Sequence, residues 1–171
     1  MSLRIDAVRQ RVFDAFVGDI DQWWRPNPLF PFTPRAPGVL SFEPGPDGRL
    51  IETRAPGQVF EIGRIRAWEP PCRLVFGWRQ ATFAADQDSE VEVTFDEVDG
   101  QTRVTVEHRG WDSIPATHVA RHGFPEAVFL RRHGEWWQGL LSALATFMSE
   151  ASAPIPKVAG PMASSDELQN R

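Results

Sequence analysis

The chain has 171 residues, 42% of them hydrophobic and 24% charged, with a formal net charge of −5. That length predicts one domain with a sizeable core. The negative balance argues against nucleic acid, whose phosphates need a basic surface, and against docking on anionic lipid. No apolar run approaches the roughly 20 residues of a membrane span, so no membrane partner is expected. Met1-Ser2-Leu3-Arg4 opens without the apolar region of a secretory signal. The single Cys72 rules out an intramolecular disulfide and fits a reducing cytoplasm. The aromatic inventory is skewed to seven Trp and twelve Phe with no Tyr, so polar contacts to a ligand must come from other side chains or from backbone.

Leu3 to Ala7 reads as a short strand. Arg9 to Val17 reads as a helix with Val12, Phe13, Phe16 and Val17 on one face, ended by Gly18-Asp19. A helical turn across Ile20 to Trp24 precedes Arg25-Pro26-Asn27-Pro28, whose prolines prevent regular helix or central strand. From Val39 to His108 the texture is strand. The predicted segments are Val39 to Glu43, Leu50 to Arg54, Gln58 to Trp68, Arg73 to Gln80, Ser89 to Phe95 and Thr102 to His108. Val91, Val93 and Phe95 alternate inward, and Asp99-Gly100 is a hairpin signal. Short turns between consecutive strands predict an antiparallel meander.

Gly110 to Phe124 is a connector with a short helix expected from Pro115 to Arg121. Pro125 to Met148 then carries Trp137, Leu141, Leu144 and Met148 at helical spacing, widened by Trp136, Leu140 and Phe147. Pro125 is expected at the first helical position. This long helix is the element that can cover the apolar face of the sheet. Residues 1–150 thus read as one domain. Residues 151–171 read as an Ala-, Ser- and Pro-rich tail, disordered when alone. A homodimer in which a neighbouring subunit holds that tail is a separate expectation.

Four stretches, in order, resemble the START-like helix-grip superfamily (SRPBCC), and within it the branch named after the activator of Hsp90 ATPase. They are Val12-Phe13-Asp14-Ala15-Phe16 with Asp21-Gln22-Trp23-Trp24, and Gly63 to Pro71 with Arg73-Leu74-Val75-Phe76-Gly77-Trp78. The others are Glu107-His108-Arg109-Gly110-Trp111 and the Trp137, Leu141, Leu144 spacing. The resemblance implies an α+β helix-grip fold. Two short helices follow the first strand, and a curved antiparallel sheet wraps around the long C-terminal helix with a cavity between. Relatives bind hydrophobic or aromatic small molecules, some catalyse cyclisation or hydrolysis, and others assist Hsp90. This chain lacks the extra N-terminal region of the full eukaryotic co-chaperone, so an Hsp90-type chaperone is not expected as its partner.

Leu74, Phe76 and Trp78 should face the helix. Any one such ring can be plain core; the cavity reading rests on the number of tryptophans. His108 shares the face of Val104 and Val106. A satisfied structural histidine is its plainer reading, and an acid–base group its functional one. Gly63 predicts close approach of the helix near Gly134, or a bulge. Glu61 shares parity with Gly63 and Ile65 and is expected inward with them; the other register, with Phe60 and Ile62 inward, would bring Arg64 and Arg66 in, unless a bulge at Gly63 switches the register. His118 and His122 are four apart, as zinc ligands on a helix can be, but no third ligand accompanies them and no metal is expected. No phosphate loop, Ser-His-Asp order or CxxC is present, and no cofactor is expected.

The candidate ligand-binding set is Trp24, Glu61, Trp78, Val93, His108, Trp111, Trp137 and Leu141. The first expectation is binding of a hydrophobic or aromatic small molecule. The second is a cyclase- or hydrolase-like enzyme using His108 with Glu61 or an arginine. The third is a co-chaperone-like or self-associating interaction domain.

Overall fold

The computed structural model describes residues 1–34 and 36–151. The expectations for the tail beyond residue 151, including a subunit that holds it, lie outside the described residues. Seven strands form one antiparallel sheet: β1 (Ser2–Ile5), β2 (Val39–Glu43), β3 (Arg49–Arg54), β4 (Gln58–Glu69), β5 (Arg73–Trp78), β6 (Ser89–Val98) and β7 (Gln101–Arg109). Their order is β1-β7-β6-β5-β4-β3-β2, a meander of six strands to which the N-terminal strand is added beside β7. The tightest link has a local cause. Asp99 and Gly100 both take positive φ (54° and 77°), the two-residue turn that matches the twist of a hairpin. Val98 and Gln101 pair across it.

Helix α1 (Arg9–Gly18) and the single turn α2 (Ile20–Trp23) follow β1, and α3 (Glu126–Glu150) closes the chain. Pro125 sits one position before the first turn of α3 with extended backbone, not inside it as expected. The 25 residues of α3 span about 37 Å and bury one stripe: Phe129, His133, Trp136, Trp137, Leu140, Leu141, Leu144 and Met148. The sheet answers with Leu74, Phe76, Trp78, Val91, Val93, Phe95, Val104 and Val106, all buried. No helix among the described residues is long and apolar enough to cross a membrane.

The long strand β4 departs from simple alternation. Leu50 pairs with Gly63 but Ile51 with Glu61, so Ile62 is an extra residue; Ile65 pairs with Phe76 but Ala67 with Val75, so Arg66 is a second. Each bulge shifts the inward face by one. Ile62 and Ile65 are therefore both buried, three apart, with Phe60 and Trp68 packed on the same core. Arg64 and Arg66 are exposed. The expectation that Glu61 points inward is corrected for the same reason: it lies on the outer face, paired with Arg49 (3.2 Å) and Arg64 (3.2 Å).

Gly63 serves the bulge, not the helix. A Cβ there would lie 1.7 Å from the carbonyl oxygen of Gly77 on β5, whereas Gly134 on α3 faces Met1. The sheet is pinched where two glycines meet, and this bends it around α3. Gly63→Ala should therefore destabilise by about 3 kcal/mol, the upper range for overpacking. Gly139→Ala, mid-helix with nothing within 4 Å of the new methyl, should stabilise by about 0.5–1 kcal/mol. Urea denaturation of the two variants checks both signs.

Candidate functional site

Where a helix-grip cavity was expected, the space between α3 and the sheet is filled with rings. Trp24, at the end of α2, meets Trp136 and Trp137 edge-on (5.7 and 5.8 Å between centroids, both at 90°) and Trp78 at 5.9 Å. Trp78 in turn lies 5.8 Å from Trp136 and 5.2 Å from His108. Edge-on and tilted pairs suit the ring quadrupoles, and each adds about 0.5–1.5 kcal/mol beyond area burial. Val93 and Leu141 are fully buried in the same core.

His108 sits at the heart of this knot. The Trp137 indole N–H, which can only donate, gives its proton to His108 Nδ1 at 3.2 Å. The proton of the neutral imidazole is then on Nε2, facing Ser89 Oγ at 2.8 Å, and Ser89 Oγ donates to the Trp78 carbonyl at 3.1 Å. Both ring nitrogens are engaged, which is the structural reading of this histidine. Although the residue as a whole is half-buried, its ring lies among Trp78, Trp111, Trp137 and His133. Burial, and then the neighbouring His133, hold its pKa well below the usual imidazole range. His133, 4.6 Å away on α3, is pushed down to about 3 by burial. Its Nε2 has no hydrogen-bond partner among the described residues, nor have the indole N–H groups of Trp78, Trp111 and Trp136. These orphaned groups oppose the packing, since each unmade buried hydrogen bond costs about 1–3 kcal/mol.

Trp111 is brought in by the connector. A buried guanidinium, Arg121, donates to the carbonyls of Trp111 (2.7 Å) and Ile114 (3.1 Å) and lies over the Phe129 ring. The helix expected across Pro115 to Arg121 is one 3-10 turn, Val119–Arg121, so His118 and His122 do not share a helical face. The ring of His118 instead meets the carbonyl of Thr82, and that of His122 the carbonyl of Leu29.

The free space lies beside the knot. A cavity of about 410 Å³ opens beneath the proline-rich residues 24–34 and 36–38, the Trp24 to Gly38 segment. Its walls include Trp24, Phe30, Phe32 and Leu40, and its polar groups include Thr33 and Glu52. That volume falls within the roughly 300–1,000 Å³ of small-molecule pockets. Pro26, Asn27 and Phe30 also line a second hollow of about 380 Å³ against α3. Phe30 links the two. It stacks on Trp136 (4.8 Å, 21°) and meets His133 at right angles. The segment is fastened at several points: Leu29 N–H to Asn27 Oδ1, Ala81 N–H to the Phe32 carbonyl, and Thr33 and Gly38 to Glu52.

Of the eight residues expected to line a ligand cavity, Trp24 does so. Trp78, His108, Trp111 and Trp137 form the knot, Val93 and Leu141 lie in the core, and Glu61 faces outward. His108 and Glu61 are not brought together as an acid–base pair. Sequence reasoning missed Glu52, which is 1% exposed. The available signal was its parity with Leu50, which is masked by Ile51 on the other face. It also missed His133 as a partner of His108, although His133 lies one helical turn before Trp137.

The buried histidines make stability depend on pH with a definite sign. Both folded pKa values lie below the unfolded value of about 6.5. The penalty is therefore absent above that pH. It grows as pH falls and the unfolded chain takes up protons that the fold refuses, by about 1.4 kcal/mol per pH unit per histidine. His133→Leu should accordingly gain in stability relative to wild type between neutral pH and pH about 5, as read by thermal melts. A pH-independent difference would contradict the assignment.

Comparison with known proteins bears on the same frame. The family model described as activator of Hsp90 ATPase homolog 1-like protein matches residues 6–148. Protein MLL2253 from Mesorhizobium loti is 17% identical, with a TM-score of 0.58 over 88% of this chain and 95% of its own. CalU16 from Micromonospora echinospora is 21% identical, with a TM-score of 0.56 over 91% and 75%. An Hsp90 activator from Plasmodium falciparum is 18% identical, with a TM-score of 0.57 over 87% and 96%. No curated protein matches the chain in sequence. These likenesses establish the helix-grip fold, and the chain belongs to the family of activator of Hsp90 ATPase homolog 1-like proteins.

Proposed function

We propose that the protein binds a hydrophobic, aromatic small molecule in the cavity beneath the Trp24 to Gly38 segment. The observation that carries this is a volume of about 410 Å³ walled by Trp24, Phe30, Phe32 and Leu40. Flat rings there offer stacking surface, and their entropy of ordering is already spent, because Trp24, Phe30 and Phe32 are buried without a ligand. Membership in a family whose fold is compatible with small-molecule binding supports the reading. Turnover is not part of it, because both nitrogens of His108 are occupied and Glu61 faces away. The single Cys72, exposed and free, supports a reducing compartment, the cytoplasm, for this binding.

Titration with naphthalene-, anthraquinone- and acyl-chain ligands, read by tryptophan fluorescence, tests the proposal. Saturable quenching by the aromatic class is expected through Trp24. Leu40→Trp, which fills the cavity, should weaken that binding at least about tenfold, a change of about 1.4 kcal/mol. A flat response to all three classes, or binding indifferent to Leu40→Trp, would overturn it.

A further inference from the structure

Glu52 is the least expected residue on the cavity wall. It sits on β3, paired with Leu40 on one side and Phe60 on the other, and is 1% exposed. Two groups donate to it: the Thr33 hydroxyl to Oε2 at 2.8 Å and the Gly38 N–H to Oε1 at 2.9 Å. A carboxylate has roughly four lone-pair positions, so about half of its capacity is unused. No arginine, lysine or histidine among the described residues forms an ion pair with it, whereas carboxylates such as Glu43, Asp88, Glu92 and Asp99 are each paired with an arginine. Burying a carboxylate is costly, and the two neutral donors offset only part of that cost. The remedy the geometry allows is a cation inside the cavity. The walls suit it, because the faces of Trp24 and Phe32 attract positive charge as well as apolar surface.

We propose that the occupant is an aromatic amine or ammonium compound whose positive head sits on Glu52 while its rings lie against Trp24 and Phe32. This rests on the binding reading above and adds the charge of the ligand to it. Thr33 and Gly38 bracket the far end of the covering segment, so the carboxylate also anchors that segment. A Cβ at Gly38 would lie 2.5 Å from the Thr53 carbonyl oxygen, so a glycine is needed for the chain to pass this close to β3. Anchoring alone would need only a hydrogen-bond acceptor. A ligand cation needs the charge, and an experiment can separate the two.

The probes are naphthylmethylamine, a cation at neutral pH, its neutral isostere ethylnaphthalene, and the anion naphthylacetate. Each is titrated into the full chain by calorimetry. The cation is expected to bind at least about tenfold more tightly than the neutral isostere, and the anion most weakly. Glu52→Gln, which keeps an acceptor and removes the charge, should bring the cation-to-neutral ratio close to one. Equal binding of cation and neutral isostere by the wild type, or preference for the anion, overturns the charge assignment and leaves the aromatic-binding reading standing. No binding of any of the three overturns both.

Discussion

The hydrogen bond from the Trp137 indole to His108 fixes where the long helix sits on the sheet. It joins α3 to the end of β7, and through Ser89 it reaches the Trp78 carbonyl on β5. Four residues from three strands and the helix thus share one run of donors and acceptors. Each end is used up, so the run locks position and offers no reactive proton. Around it the rings of Trp24, Trp78, Trp111, Trp136 and His133 pack at centroid distances between 4.6 and 5.9 Å. An interior filled in this way cannot also hold a ligand between helix and sheet without displacing a tryptophan.

The consequence is a transfer of free space along the sheet. The helix-grip frame leaves room on its concave side, and here tryptophans occupy the part under α3. What remains lies toward the β2–β3 edge, under a segment whose prolines keep it from forming a strand or helix of its own. Such a segment can arch over a hollow instead of collapsing on it, provided something holds both ends. Trp24 holds the first end by packing into the knot, and Glu52 holds the second through Thr33 and Gly38. The same two residues are the aromatic wall and the acidic group of the cavity, so the architecture of the segment and the chemistry of the site are one arrangement.

Much of the frame was legible in the residues. Alternation of Val91, Val93 and Phe95, the Asp99-Gly100 turn and the stripe of α3 each report a single local rule, and each element stands where the rule put it. The extent of strand β4 was legible but its register was not, because two extra residues reset its period, and a parity argument for Glu61 has no way to count bulges. The site was less legible still. A surplus of tryptophan says that large rings are buried, but not whether they line a space or fill it. That difference is settled by how rings from four distant segments tilt against one another. Glu52 was hidden by Ile51, since Leu50-Ile51-Glu52 offers an apolar residue to both faces. The proline-rich stretch could be recognised as irregular, but its role as a roof depends on partners as distant in sequence as Ala81 and His122.

Xenon pressurisation of crystals of the protein tests this account most directly, because xenon settles in apolar cavities regardless of the natural ligand. The account predicts a xenon atom among Trp24, Phe32 and Leu40, and none between α3 and the sheet beside Trp78 and His108. Xenon lodged against Trp137 and Leu141, with the space under the Trp24 to Gly38 segment empty, would contradict it.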